Sequence, residues 1–169
     1  MNKVVIYLTL LLVFSPAHFA RGENTENHDE VMQVVEDFRL ALIAKDEQKF
    51  VDLFYQKSVP WIGITGQKRS GNLPSTNGEQ LGNHLSFIGW VVRTPQRIEE
   101  KFWDINIHTD GDVASVHFKY SFHKDDYKSN WGDESWHMLK TNQGWKISSV
   151  IYSITDNPVA REKPHSPGL

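Results

Sequence analysis

Cysteine is absent from the 169-residue chain, which excludes disulfides, thiolate metal sites, cysteine nucleophiles and lipid attachment at an N-terminal cysteine. Any metal would have to be held by His and carboxylates. Basic runs are missing as well: none exceeds the pair Lys68-Arg69 and the net charge is −3, so nucleic acid is not an expected partner. The longest apolar stretch, Val4 to Phe14 with Thr9 inside it, falls short of the about 20 residues that a membrane-spanning helix needs. No stable membrane anchor is expected. The sequence also lacks GxSxG, HExxH and a glycine-rich phosphate loop, and with them the familiar routes to nucleophilic, zinc-hydrolytic and nucleotide chemistry. No cofactor is implied.

What is present is an aromatic-rich chain, 12% Phe, Trp and Tyr with six Trp, of a length that suits one domain and one core. Residues 1 to 20 combine Lys3, the apolar run and the small-residue stretch Ser15 to Ala20, which is the pattern of a secretory leader cleaved after Ala17 or Ala20. A secreted or periplasmic, bacterial protein is therefore expected. The domain proper spans about residues 28 to 155, and residues 157 to 169, with Pro158, Pro164 and Pro167, read as a disordered tail.

Along that domain, Asn27-His28-Asp29-Glu30 resembles a capping box, followed by Val31, Val34, Val35, Phe38, Ala41 and Leu42 at helical spacing. A first helix over 28 to 44 is predicted. Asp46 caps a second, shorter helix presenting Phe50, Leu53 and Phe54. Trp61 to Ile64 reads as a strand, residues 65 to 76 as a loop, and Thr76-Asn77-Gly78-Glu79 as the cap of a third helix carrying Leu81, Leu85 and Ile88. From residue 98 the apolar period becomes two. Turns at Asp110-Gly111, at Lys124 to Asn130 and at Thr141 to Gly144 then give four antiparallel strands.

This order, with the opening helix, Asp46 to Phe54, the hairpin Gly111-Asp112-Val113-Ala114 and the stretch Trp136-His137-Met138-Leu139-Lys140 through Gly144-Trp145-Lys146-Ile147 to Ser153, resembles the SnoaL-like, nuclear transport factor 2-like superfamily. The resemblance implies an α+β cystatin-like cone: N-terminal helices in the concave face of a curved, mainly antiparallel sheet, with a pocket at the open end. In the isomerase branch a first-strand carboxylate abstracts a proton. Ser58 to Gly63 has no acid there, so that role is not carried over.

If Thr109 faces Asp112, His123 faces Trp131 and Thr141 faces Gly144, strand parity puts Trp103, Phe118, Trp136 and Ser149 in one inward row. Lys101, Tyr120, Glu134 and Ile151 form another at the open end. Charged groups on a buried face must be paired, hydrated or at a pocket mouth. Trp61, Lys101, Trp103, Tyr120, Glu134, Trp136 and Ser149 are accordingly the candidate ligand-binding residues, with Glu134 and Tyr120 the candidate acid-base pair and a structural Lys101-Tyr120-Glu134 bridge the alternative. On the opposite face Asp104, His117, His137 and Ser148 line up. Asp104, His117 and His137 could hold zinc or iron(II), although their polar neighbours make a solvated face the simpler reading. Val150, Tyr152 and Ile154 fall on that outer face and would support a homodimer. The resulting expectation is an exported protein binding a small, largely apolar molecule or partner in its cone. The alternatives are an acid-base enzyme of the polyketide cyclase or ketosteroid isomerase kind, and a homodimeric interaction module.

Overall fold

A computed structural model of the chain describes residues 17–65 and 79–159, and side chains over 25–65 and 82–159. Its elements are α1 (Ala17–Ala44), α2 (Glu47–Asp52), β1 (Trp61–Thr65), β2 (Glu79–Leu81), α3 (His84–Arg93), β3 (Ile98–Thr109), β4 (Val113–Lys124), β5 (Tyr127–Thr141) and β6 (Gly144–Asp156). The six strands form one sheet in the order β2-β1-β6-β5-β4-β3, with β1 and β6 parallel and every other pair antiparallel. The fold is the α+β cone expected of the sequence.

The apolar face of α1, Val31, Val35, Phe38 and Leu42, is buried against the concave side of the sheet, where Phe118, Trp136, Met138 and Ile147 meet it. Spacings of four, three and four residues keep these side chains on one stripe. Each such burial contributes about 1.5–3 kcal/mol. Phe38 is central, with ring centroids 4.8 Å from Phe50 and 4.9 Å from Trp136. Helix α1 stops where Lys45 turns to φ 54°, and Asp46 then caps α2 by accepting the Lys49 N–H at 3.1 Å.

Several boundaries differ from the sequence expectation. Helix α1 is already helical at Ala17, the first described residue, rather than starting at residue 28. Its presumed capping residues instead tie the helix to the sheet, since Glu30 pairs with Lys140 and accepts the Trp145 indole N–H at 3.0 Å. The leader read over residues 1 to 20 lies outside the described residues except for Ala17 to Ala20, which are helical. Most of the 65 to 76 loop lies outside them too. Glu79 to Leu81 is a strand that pairs with β1, and the third helix starts only after Asn83, whose Oδ1 accepts the N–H groups of Leu85 and Ser86 at 2.8 and 3.2 Å. An edge strand is completed where a helix cap was expected. Lys124 to Asn130 is not a long loop: the chain turns at Asp125-Asp126, with Asp125 at φ 56°, and Tyr127 is already in β5. Asn157 to Val159, read as the start of the tail, bond to β5 through Asn157 N–H to the Ser129 carbonyl at 2.8 Å and Tyr127 O–H to the Val159 carbonyl at 2.7 Å. The remainder of the tail is outside the described residues.

Register shifts interrupt three strand pairs, β3–β4, β4–β5 and β5–β6, and those in β3 and β6 move residues from one face to the other. In β3 the residues Asp104 and Ile105 oppose the single residue Phe118, with Asp104 at φ 54°. Before the bulge Ile98, Glu100 and Phe102 face the core, and after it Ile107 pairs with the buried Val116. In β6 the extra residue is Ser148, because Met138 pairs with Ile147 but His137 with Ser149. Beyond it Val150 and Ile154 are buried.

Candidate functional site

The open end of the cone holds a cavity of about 230 Å³ lined by Trp61, Phe87, Trp90, Glu100, Tyr120, Phe122, Asn130, Glu134, Tyr152, Ile154 and Asp156. Trp61 projects from β1, Phe87 and Trp90 from one face of α3, and the rest from β3, β4, β5 and β6. Their rings form a continuous wall: Trp61 and Phe87 lie 5.6 Å apart, Phe87 and Trp90 6.3 Å, Trp90 and Phe122 6.1 Å, and Tyr120 and Tyr152 meet edge to face at 6.2 Å.

Inside this wall sit two carboxyl groups, Glu100 at 8% exposure and Glu134 at 4%. Glu134 Oε1 accepts the Trp136 indole N–H at 2.6 Å. Glu100 Oε2 is buried with no hydrogen-bond partner among the described residues. Burial disfavours the charged form of each. It pushes Glu134 up to about 7, with the Trp136 N–H opposing the rise, and it lifts Glu100 well above the usual carboxylate range, with the nearby Glu134 charge adding to the lift. The two cannot both ionise cheaply at neutral pH, so the pair holds at least one proton there. The Tyr120 hydroxyl donates to the Ser153 carbonyl at 2.9 Å. Burial raises its pKa, the two glutamates following as smaller causes, so Tyr120 stays neutral.

No protein-family profile and no curated relative matches the sequence. Solved structures match along most of its length. An NTF2-like protein with a cystatin-like fold from Novosphingobium aromaticivorans superposes with a TM-score of 0.64 at 10% identity, covering 85% of this chain and 92% of that one. The fold is NTF2-like. An NTF2-like protein of unknown function from Pseudomonas putida gives 0.60 at 11% identity over 83% and 98% of the two chains. A candidate dehydratase of the NTF2-like family from Streptomyces avermitilis gives 0.58 at 12% identity over 78% and 98%.

Within this NTF2-like cone the sequence-predicted residues divide. Trp61, Tyr120 and Glu134 line the cavity. Trp136 is fully buried beneath it, its ring edge to face with Phe118 at 5.0 Å. Lys101 and Trp103 do not face inward: the β3 bulge lies after Trp103, so in the stretch before it the inward positions are Glu100 and Phe102, and Trp103 is 42% exposed beside Lys119. A Lys101-Tyr120-Glu134 bridge is thereby excluded. Ser149 also lies outside, bonded to His137 Nδ1 at 3.0 Å, and Val150, Tyr152 and Ile154 point into the cone and its cavity rather than outward. The outer patch inferred from them does not exist; Ile151 takes the outward place. Asp104 pairs with Lys119 at 3.1 Å, His117 Nδ1 lies 2.9 Å from Ser135 Oγ, and His137 meets Ser149. Among the described residues no three His, Asp or Glu side chains converge as metal ligands.

The lining residues that sequence reasoning missed are Phe87, Trp90, Glu100, Phe122, Asn130, Tyr152, Ile154 and Asp156. A signal existed for Glu100 and for the residues of β6. Apolar residues at 98, 102, 105 and 107, and at 147, 150 and 154, each break strict alternation once, and one inserted residue per strand restores it.

Proposed function

We propose that this chain is an exported NTF2-like domain that binds a small molecule in the cavity at the open end of its cone. The observation that carries this reading is the combination of an aromatic wall with two buried carboxyl groups, one of them with an oxygen left unbonded. A buried acceptor without a partner costs about 1–3 kcal/mol in a folded protein, and an incoming donor recovers it. At about 230 Å³ the space is below the roughly 300–1,000 Å³ of pockets for drug-sized ligands. The occupant is therefore a compact molecule with an apolar body and one polar end. The leader-like pattern of residues 1 to 20 supports export, and among the described residues no helix is long and apolar enough to cross a membrane. A ligand-observed NMR screen of small aromatic fragments tests the reading: binders should be lost in Ile154→Phe, which fills the cavity from β6. Fragments that bind Ile154→Phe as well as the unaltered protein would place the site elsewhere.

One observation favours a second reading. A carboxyl group that titrates near 7 inside a cavity suits general acid-base catalysis at neutral pH, and the candidate dehydratase with the same fold keeps that chemistry in view. Glu134→Gln should then abolish turnover of any substrate found, while leaving its binding intact.

A further inference from the structure

Resting on the ligand-binding reading above, we propose that the polar end of the occupant is a cation, an ammonium group carried on a small aromatic or aliphatic body and seated between Glu100 and Glu134. Three features of the cavity point the same way. The first is charge: its lining includes Glu100, Glu134 and Asp156, and no Lys, Arg or His among the described residues. A nearby cation, Lys124, is not among the lining residues and sits over the Trp90 ring, 5.2 Å from its centroid.

The second is hydrogen-bonding capacity. Glu100 Oε2 has no partner among the described residues, and Tyr120, whose hydrogen goes to the Ser153 carbonyl, can offer a ligand only lone pairs. The Trp136 N–H is taken by Glu134. Trp90, Asn130 and Tyr152 also bring donors to the lining, but the end formed by Glu100, Glu134 and Tyr120 presents acceptors alone to a ligand once both carboxyls are ionised, which suits an ammonium and opposes a carboxylate. The third is the wall itself: the faces of Trp61, Trp90 and Tyr152 attract cations through their ring quadrupoles, most strongly where water is excluded.

An ammonium ion placed between the carboxyls also relieves their mutual repulsion, so both can ionise once it is bound. At neutral pH the bound ligand keeps its three N–H bonds, and the proton held by the carboxyl pair leaves to solvent. The groups facing this site are Glu100 from β3, Tyr120 from β4, Glu134 from β5, and Tyr152 and Asp156 from β6; α3 contributes only Phe87 and Trp90.

The test is calorimetric titration of the full-length purified protein at pH 7.5 with three probes of one size, 2-phenylethylamine, 2-phenylethanol and phenylacetate. The amine should bind at least about tenfold more tightly than the alcohol, as one charged hydrogen bond allows, and phenylacetate should bind most weakly. Binding of the amine should release protons, seen as a dependence of the heat on buffer ionisation enthalpy. Glu100→Gln should bring the amine-to-alcohol ratio to within about threefold, the amine losing more affinity than the alcohol. Alcohol or phenylacetate binding as tightly as the amine in the unaltered protein would overturn the cation and leave the pocket standing. Failure of all three probes to bind would overturn both readings.

Discussion

Replacing Glu134 by Gln should make the protein more stable at alkaline pH and leave it nearly unchanged in mild acid. The carboxyl is raised from an ordinary 4.5 to about 7, chiefly by burial. In the unfolded chain it loses its proton near pH 4.5, whereas in the folded chain it keeps it to about 7. Between those values the folded state binds more protons, so stability falls as pH rises. At 1.36 kcal/mol per unit, the loss attributable to this one group is on the order of 3 kcal/mol, complete above pH 7. Gln has the same shape and can still accept the Trp136 N–H through its carbonyl oxygen, but it does not titrate. Glu100 titrates in both proteins and in the variant is raised by burial without its charged neighbour. Urea unfolding followed by tryptophan fluorescence at pH 5 and pH 8, at constant ionic strength, measures the difference. The gain of Glu134→Gln over the unaltered protein should be larger by on the order of 2–3 kcal/mol at pH 8 than at pH 5. Equal differences at the two pH values would refute the claim that this carboxyl is buried and neutral.

Two further substitutions test the packing that positions the site. Trp136→Ala removes a fully buried ring packed on Phe38 and Phe118 and should cost about 3–5 kcal/mol; His137→Ala, on the exposed outer face, should change stability by about 0.5 kcal/mol or less. Similar losses for both, by denaturant unfolding, would contradict the face assignment of β5. Gly132→Ala would place a Cβ 2.0 Å from the Ser153 carbonyl oxygen, a backbone clash that should destabilise by about 3 kcal/mol. A melting temperature unchanged from that of the unaltered protein would show that β5 and β6 do not approach so closely there.

The architecture was legible because long periodic segments carry redundant information. The stripe from Val31 to Leu42, the alternation in β4 and the turns at Asp110-Gly111 and Thr141 to Gly144 each survive the loss of one position. The site was harder to read, because it depends on parity, and parity is inverted by one inserted residue. The β4–β5 pairing slipped by two residues relative to expectation, with Phe118 opposite Glu134 and Val116 opposite Trp136. A shift of two preserves faces, so Tyr120, Glu134 and Trp136 remained inward. In β3 and β6 the inserted residues exchanged Lys101 for Glu100, Trp103 for Phe102 and Ser149 for Val150. The exchange reversed the chemistry of the pocket: an expected Lys-Glu pair became a carboxyl pair with no cation among the described lining residues. Helix boundaries failed for a different reason. Asn27 looks like a cap in isolation but lies inside α1, and the cap read over Thr76 to Glu79 lies outside the described residues except for Glu79, which is in β2. Asn83, which does cap α3, has the same side-chain chemistry.

The central claim is a pair of carboxyl groups buried in the cavity at the open end of the cone, at least one of which stays protonated at neutral pH. Carbon-13 NMR of protein labelled at the glutamate side-chain carboxyls, assigned with Glu100→Gln and Glu134→Gln, observes this directly. The account predicts that at pH 6.5 one carboxyl of the pair, Glu100 foremost, still gives the chemical shift of the acid form. Two signals that have both completed their titration by pH 5.5 would contradict it.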